Sequence, residues 1–178
     1  MKLVQLAVVA TLVLAAVAPA ASAQEAKFIN LALWDPIQIF NNETAIHGFR
    51  LNIYGNNTEL KGLDIGVVNR ITGNTTGLQF GIVNWTEGDF TGWQNAPVQK
   101  VDGFMLGLQI GQLFTMNGSG KGLQVSALTM SEDFIGLQVG IVNYSVKIHG
   151  LQIGLINIIK EGGMLPFFPI FNFGKSGS

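Results

Sequence analysis

The sequence predicts an all-β protein of tandem 14–15-residue repeats, arranged as an antiparallel β-meander that closes into a small outer-membrane β-barrel, with a parallel β-solenoid as the alternative. Three observations lead there. The first is a recurring unit, clearest as GLQIGLIN from Gly150, with copies from Gly136 (GLQVGIVN), Gly122 (GLQVSALT), Gly107 (GLQIGQLF), Gly92 (GWQNAPVQ), Gly77 (GLQFGIVN), Gly62 (GLDIGVVN) and, more loosely, Gly48 (GFRLNIYG). Successive copies start 14 or 15 residues apart, and so regular a period decides the architecture before any local assignment. The second is alternation within the unit, which suits a strand rather than a helix; the glycine density is also hostile to helices. The third is a turn cluster of Gly, Asn, Asp or Ser in most units, for example Thr72-Gly73-Asn74, Glu87-Gly88-Asp89 and Asn117-Gly118-Ser119. One turn signal per unit implies one strand per unit, and Asn-Gly and Asp-Gly pairs favour tight hairpins.

In chain order, residues 1–23 read as a secretory signal: Lys2, an apolar run from Leu3 to about Val17, then Ala21-Ser22-Ala23, with cleavage expected before Gln24. Residues 24–173 form a single β-repeat domain and 174–178 a flexible tail. With no cysteine in the chain, cohesion must come from strand pairing and burial rather than disulfides. Phe28 to Trp34 alternates and reads as a first strand, stopped by Asp35-Pro36.

Within each unit, with Gly as position 0, positions 1, 3 and 5 are large and apolar. Leu78, Ile82, Leu137, Val139, Ile141, Leu151, Ile153 and Leu155 belong to this row, which would face lipid or a packed core. The opposite face carries Gly at 0, Gln or Asp at 2, a small residue at 4, an aliphatic residue at 6 and usually an apolar residue at −2. Asp64, Gln79, Gln94, Gln109, Gln124, Gln138 and Gln152 all point that way. This row could line a narrow pore or bind sugar hydroxyls; the favoured reading is that mutually hydrogen-bonded amides fill a narrow interior. A strand from −2 to 7 has roughly the ten residues a tilted membrane strand requires. Pro97 interrupts the Gly92 copy, so a short or bulged strand is expected there. The ending Leu165-Pro166-Phe167-Phe168-Pro169-Ile170-Phe171-Asn172-Phe173, with two prolines, reads as an edge or closing segment.

The ordered combination of the lead-in from Ile46 to Gly66, the GLQIGLVN-like units and the LPFFPIFNF ending resembles the secreted surface-repeat proteins of spirochaetes and other diderm bacteria. The resemblance spans almost the whole chain after the signal. It implies an outer-membrane or cell-surface location and carries no enzymatic activity with it.

The chemistry is correspondingly sparse. Ten Lys plus Arg against eleven Asp plus Glu leave no basic face for nucleic acid. His47 and His149 are the only histidines, and most carboxylates fall in turns, so no catalytic, cofactor or metal site is assigned. A secreted hydrolase has only the signal in its favour. The expected partner is outer-membrane lipid, met by a structural, surface-interaction or narrow-pore protein; the solenoid alternative is an exported soluble binding module whose ladders of like residues form a binding face.

Overall fold

The computed structural model describes residues 25–34 and 37–175; the signal, the Asp35-Pro36 stop and most of the tail lie outside the described residues. Twelve strands follow one another without a helix among the described residues. β1 (Lys27–Trp34) and β2 (Ile37–Gln38) lead in. β3 (Ala45–Asn57), β4 (Glu59–Ile71), β5 (Thr75–Phe80), β6 (Val83–Thr86), β7 (Phe90–Asn95), β8 (Val98–Ile110), β9 (Phe114–Val125), β10 (Leu128–Val139) and β11 (Val142–Glu161) carry the repeats, and β12 (Phe167–Gly174) closes the array.

Every pairing from β3 to β11 is parallel, and each residue meets its counterpart one unit along: Gly62 against Gly77, Leu63 against Leu78, Asp64 against Gln79, and so on to Gln138 against Gln152. The chain is therefore a β-solenoid, and the antiparallel meander and barrel are corrected. The reason is a second bend in each unit. Strand character stops after position 3 in the Gly77 copy, turns at Gly81-Ile82 and resumes at Val83; in the Gly48, Gly62 and Gly150 copies one strand runs on through the same point, and β4 pairs with β5 along one half and with β6 along the other, so each unit supplies two walls and returns the chain to start the next coil above itself. The ten-residue membrane strand thus splits into two short ones on opposite walls of a flattened coil. The Asn-Gly and Asp-Gly clusters are the other corner, not hairpins. There the hydrogen bonds run from coil to coil, as in Gly88 N to Gly73 O (3.0 Å) and Gly103 N to Gly88 O (3.2 Å). Asn74 and Asp89 reinforce that corner by accepting, through side-chain oxygens, the N–H groups of Asp89 and Phe104.

Two glycine rows make the coil possible. At position 0 the backbone adopts φ between 131° and 158° from Gly48 to Gly150. A Cβ on Gly107 would stand 2.1 Å from the Gly92 carbonyl oxygen, so neither the conformation nor the spacing admits a side chain. At position 4 the bend itself is tight: a Cβ on Gly154 would meet the Gly140 carbonyl oxygen at 2.1 Å.

The interior has two zones. Beside the turn corner, positions −2 and 9 supply Phe90, Val101, Met105, Phe134, Ile148 and Ile159, a fully buried apolar cluster. Each such side chain contributes roughly 1.5–3 kcal/mol by leaving water. Beside the bend, positions 2 and 7 supply amides. The phase slips at the bend, and this corrects the expected faces: position 6 (Val68, Val83, Val142) turns outward and position 7 (Asn69, Asn84, Asn143) turns inward. Pro97 falls in the bend, so β7 keeps its full register with β5 and β8 and is neither shortened nor bulged.

Both ends are closed differently from the middle. β1 pairs parallel with β3 and carries the short antiparallel β2 on its far side. β12 runs antiparallel to β11, with Pro169 and the positive-φ Ile170 in it, in keeping with its reading as a closing edge.

Because each coil is an equivalent unit, removing residues 122–135 joins Lys121 to Gly136 with every row intact. The shortened protein is expected to keep its β circular-dichroism spectrum and a cooperative, lowered thermal transition. Loss of folded structure would contradict the stacked-coil architecture.

Candidate interaction surface

The position-2 row is wholly buried and forms one continuous amide ladder. Gln152 donates to Gln138 (2.9 Å), Gln138 to Gln124 (2.6 Å), Gln124 to Gln109 (3.1 Å), Gln109 to Gln94 (3.1 Å), Gln94 to Gln79 (3.0 Å) and Gln79 to Asp64 Oδ2 (2.9 Å). Each glutamine of the row sends an N–H toward the N-terminal end, where the row ends in an ion pair. Arg50 Nε donates to Asp64 Oδ1 (2.8 Å) and Nη2 to Oδ2 (2.7 Å), with both side chains fully buried. Asn52 and Asn57 complete the shell: Asn52 Nδ2 donates to Asp64 Oδ1 (3.1 Å), and Asn57 Oδ1 accepts from Arg50 Nη1 (3.0 Å). A buried charge pair holds its place only when its remaining donors and acceptors are satisfied, and here both Asp64 oxygens accept two hydrogen bonds each. At the other end, Gln152 Oε1 has no hydrogen-bond partner among the described residues, as expected for the last acceptor of a one-way ladder.

The sequence-predicted Gln row is therefore brought together, but as the inside of a packed coil with no room for a lumen. Sequence reasoning missed its companion at position 7. Asn69 donates to the Phe80 carbonyl (2.9 Å) and to Asn84 Oδ1 (2.8 Å); Asn143 donates to the Ile153 carbonyl (2.9 Å) and to Asn157 Oδ1 (2.8 Å). These asparagines brace the bend by taking up its carbonyls. The signal was present as a pairing of small residue and amide: Gly66 with Asn69, Gly81 with Asn84, Gly140 with Asn143 and Gly154 with Asn157.

The sequence-predicted apolar row lies on the outside. Leu78, Ile82, Ile141, Ile153 and Leu155 are exposed, Leu155 by 69%, and Leu137, Val139 and Leu151 are half-buried by their neighbours in the row. It faces neither a packed core nor the wall of a barrel. Together with position 6 it wraps the bend edge in a band free of charge from Phe49 to Ile156; Asn95 and Gln112, which hydrogen-bond each other (3.3 Å), are its conspicuous polar interruption. At its N-terminal end the band opens into an apolar groove of about 610 Å³, walled by Leu31, Leu33, Ile37, Ile39, Leu51 and Ile53.

Moving away from the bend, polarity changes in order. The next outward rows are −1 on one wall, with His47, Lys61, Lys121 and His149 among Thr76, Thr91, Leu106 and Ile135, and 8 on the other, with Arg70, Trp85, Lys100 and Tyr144 beside Met116 and Met130. On the outer surface of the repeats, acidic residues stand beyond these, at the turn corner, with Glu59, Glu87, Asp89, Asp102, Glu132, Asp133 and Glu161 beside Lys147 and Lys160. The two tiers interlock. Arg70 and Lys100 each stand 4.9 Å from the centre of the Trp85 ring, whose indole N–H donates to Asp102 (2.9 Å). Partial burial pushes the Asp102 carboxyl upward, but the hydrogen bonds from Lys100 and Trp85 outweigh it, and its pKa falls below the usual value. Arg70 is raised by its hydrogen bond to Glu87, and Lys160 by its hydrogen bond with Tyr144. His47 sits 3.3 Å from Glu59 on the outer surface.

Removing Arg50 alone strands a buried carboxylate. Arg50→Met is expected to cost about 3–5 kcal/mol in urea unfolding, whereas Arg50→Met with Asp64→Leu recovers most of that loss. Equal destabilisation by the single and double variants would contradict the pairing.

Comparison of the chain with protein-family models, with curated proteins and with solved structures gave no match.

Proposed function

We propose that this protein is an exported, non-enzymatic interaction module of the outer membrane or cell surface of a diderm bacterium, and that the apolar bend edge is its binding face. The observation that carries the reading is the charge-free outward band repeated over eight coils on a scaffold whose interior is filled by an amide ladder and an apolar cluster. Monomeric proteins rarely leave so large a contiguous apolar surface open, and such surfaces mark places where a partner or membrane is met. A regular solenoid holds that surface rigid, because each row is fixed by its own backbone ladder.

The signal-like N-terminus and the resemblance to surface-repeat proteins support export and surface display. The outward rows support adhesion over catalysis: they repeat one side-chain type from coil to coil, which suits an extended contact, whereas a reaction centre needs unlike groups converging on one point.

Produced with its leader in a diderm host, the protein is expected in the envelope fraction. It should be released by alkaline carbonate or urea and migrate identically on gels with and without boiling. Recovery in the cytosol would contradict export. Resistance to extraction with a boiling-dependent mobility would indicate a spanning barrel instead.

A further inference from the structure

We infer that the occupant of the bend edge is the interfacial layer of an anionic lipid bilayer, with the solenoid lying on the membrane and its axis in the membrane plane. The inference rests on the reading of the bend edge as the binding face and adds the identity of its partner. Three features select lipid. The first is shape: rows 3, 5 and 6 wrap around a corner, so the apolar surface is a convex ridge. A bilayer yields around such a ridge, whereas two copies of it would touch only along a line.

The second is the order of polarity on both walls. Apolar rows give way first to rows that carry lysine, arginine, histidine, tryptophan and tyrosine among threonine, methionine, leucine and isoleucine, and only then to carboxylates. Interfacial structures bury an apolar face about 5–10 Å deep and set cations and amphipathic aromatics at headgroup level. Successive outward rows on a strand are about 7 Å apart, so row 8 lies one step from row 6, about 7 Å along its wall, and row −1 two steps from row 3, about 14 Å along the other; the first falls within the interfacial depth and the second at its outer margin. Lys121 would then meet lipid phosphates, and Lys61, Arg70 and Lys100, paired in the free protein with Glu59, Glu87 and Asp102, would share themselves between those carboxylates and the phosphates.

The third is the ends. β12, with Pro169 and the positive-φ Ile170, and β2 with the chain behind it interrupt the regular parallel stacking, which disfavours end-to-end growth on a second copy. The groove between Leu31, Ile37 and Leu51 is continuous with the ridge, and its volume of about 610 Å³ lies within the range of ligand-holding pockets.

The test is flotation of the purified full chain with vesicles of phosphatidylcholine alone or with added phosphatidylglycerol. Wild type is expected to float with both and to favour the anionic vesicles, the preference shrinking in high salt. Ile82→Glu with Ile141→Glu and Leu155→Glu is expected to reduce flotation at least ten-fold without changing the thermal transition, since all three side chains are exposed. Lys61→Glu with Lys121→Glu should abolish the anionic preference and leave phosphatidylcholine binding in place; each cation at an anionic surface is worth about five-fold in binding. Wild type that stays unbound, or a triple variant that floats like wild type, overturns the lipid assignment. An unbound wild type that is a dimer, made monomeric by the triple variant, overturns lipid while leaving the bend edge as a binding face. An unbound monomer indifferent to the triple variant removes both.

Discussion

The constraint on which this structure depends is that each amide of the position-2 row finds its partner one coil away. Parallel in-register stacking brings like to like, and glutamine is suited to that: it carries a donor and an acceptor, so each copy gives to one neighbour and receives from the other. A buried polar group without a partner costs about 1–3 kcal/mol, so a slip of one coil against the next would be penalised along the whole position-2 row. The ladder thus enforces register in a chain whose apolar contacts, repeated almost identically, would tolerate sliding. Arg50 and Asp64 end it with a charge pair instead of another amide, which fixes the N-terminal coil as the first.

The same constraint explains why the protein is apolar outside. Strand alternation gives each wall an inner and an outer row, and the backbone at position 0 is too close to the coil before it for any Cβ. Amides and small residues therefore take the inner side near the bend, apolar packing is confined to the turn corner around Phe90, Met105 and Phe134, and the remaining aliphatic residues are left outward. That arrangement is costly in water and sensible beside an apolar partner, which links the packing of the coil to its proposed place on a membrane.

Much of this was legible in the residues. The repeat, its phase, the shared direction of the Gln row and the placing of position −2 on the same face all follow from period and alternation. The direction of strand pairing did not follow, because alternation is the same for parallel and antiparallel strands and a Gly-Asp turn serves a hairpin or a solenoid corner equally. The decisive residue was the glycine at position 4. Read as a small residue within a strand, it leaves one strand per unit; read together with the asparagine three places on, as in Gly81 and Asn84, it is a braced bend, and a second strand follows. Positions 6 and 7 changed faces for that reason alone. The outward apolar row was recognised as a row, but its surroundings could not be, since lipid, core and solvent leave the same pattern in sequence.

In-register parallel stacking is tested most directly by cross-linking, which the absence of native cysteine makes clean. Leu123 and Leu137 are paired on neighbouring coils, so Leu123→Cys with Leu137→Cys is expected to form an intramolecular disulfide in the folded protein, the spacing of adjacent strands, about 4.8 Å, falling within disulfide reach. In an antiparallel meander turning near Glu132, those two positions would lie roughly 20 Å apart and Leu123 would instead oppose Val142. A bond in Leu123→Cys with Val142→Cys, and none in the first pair, would contradict the solenoid.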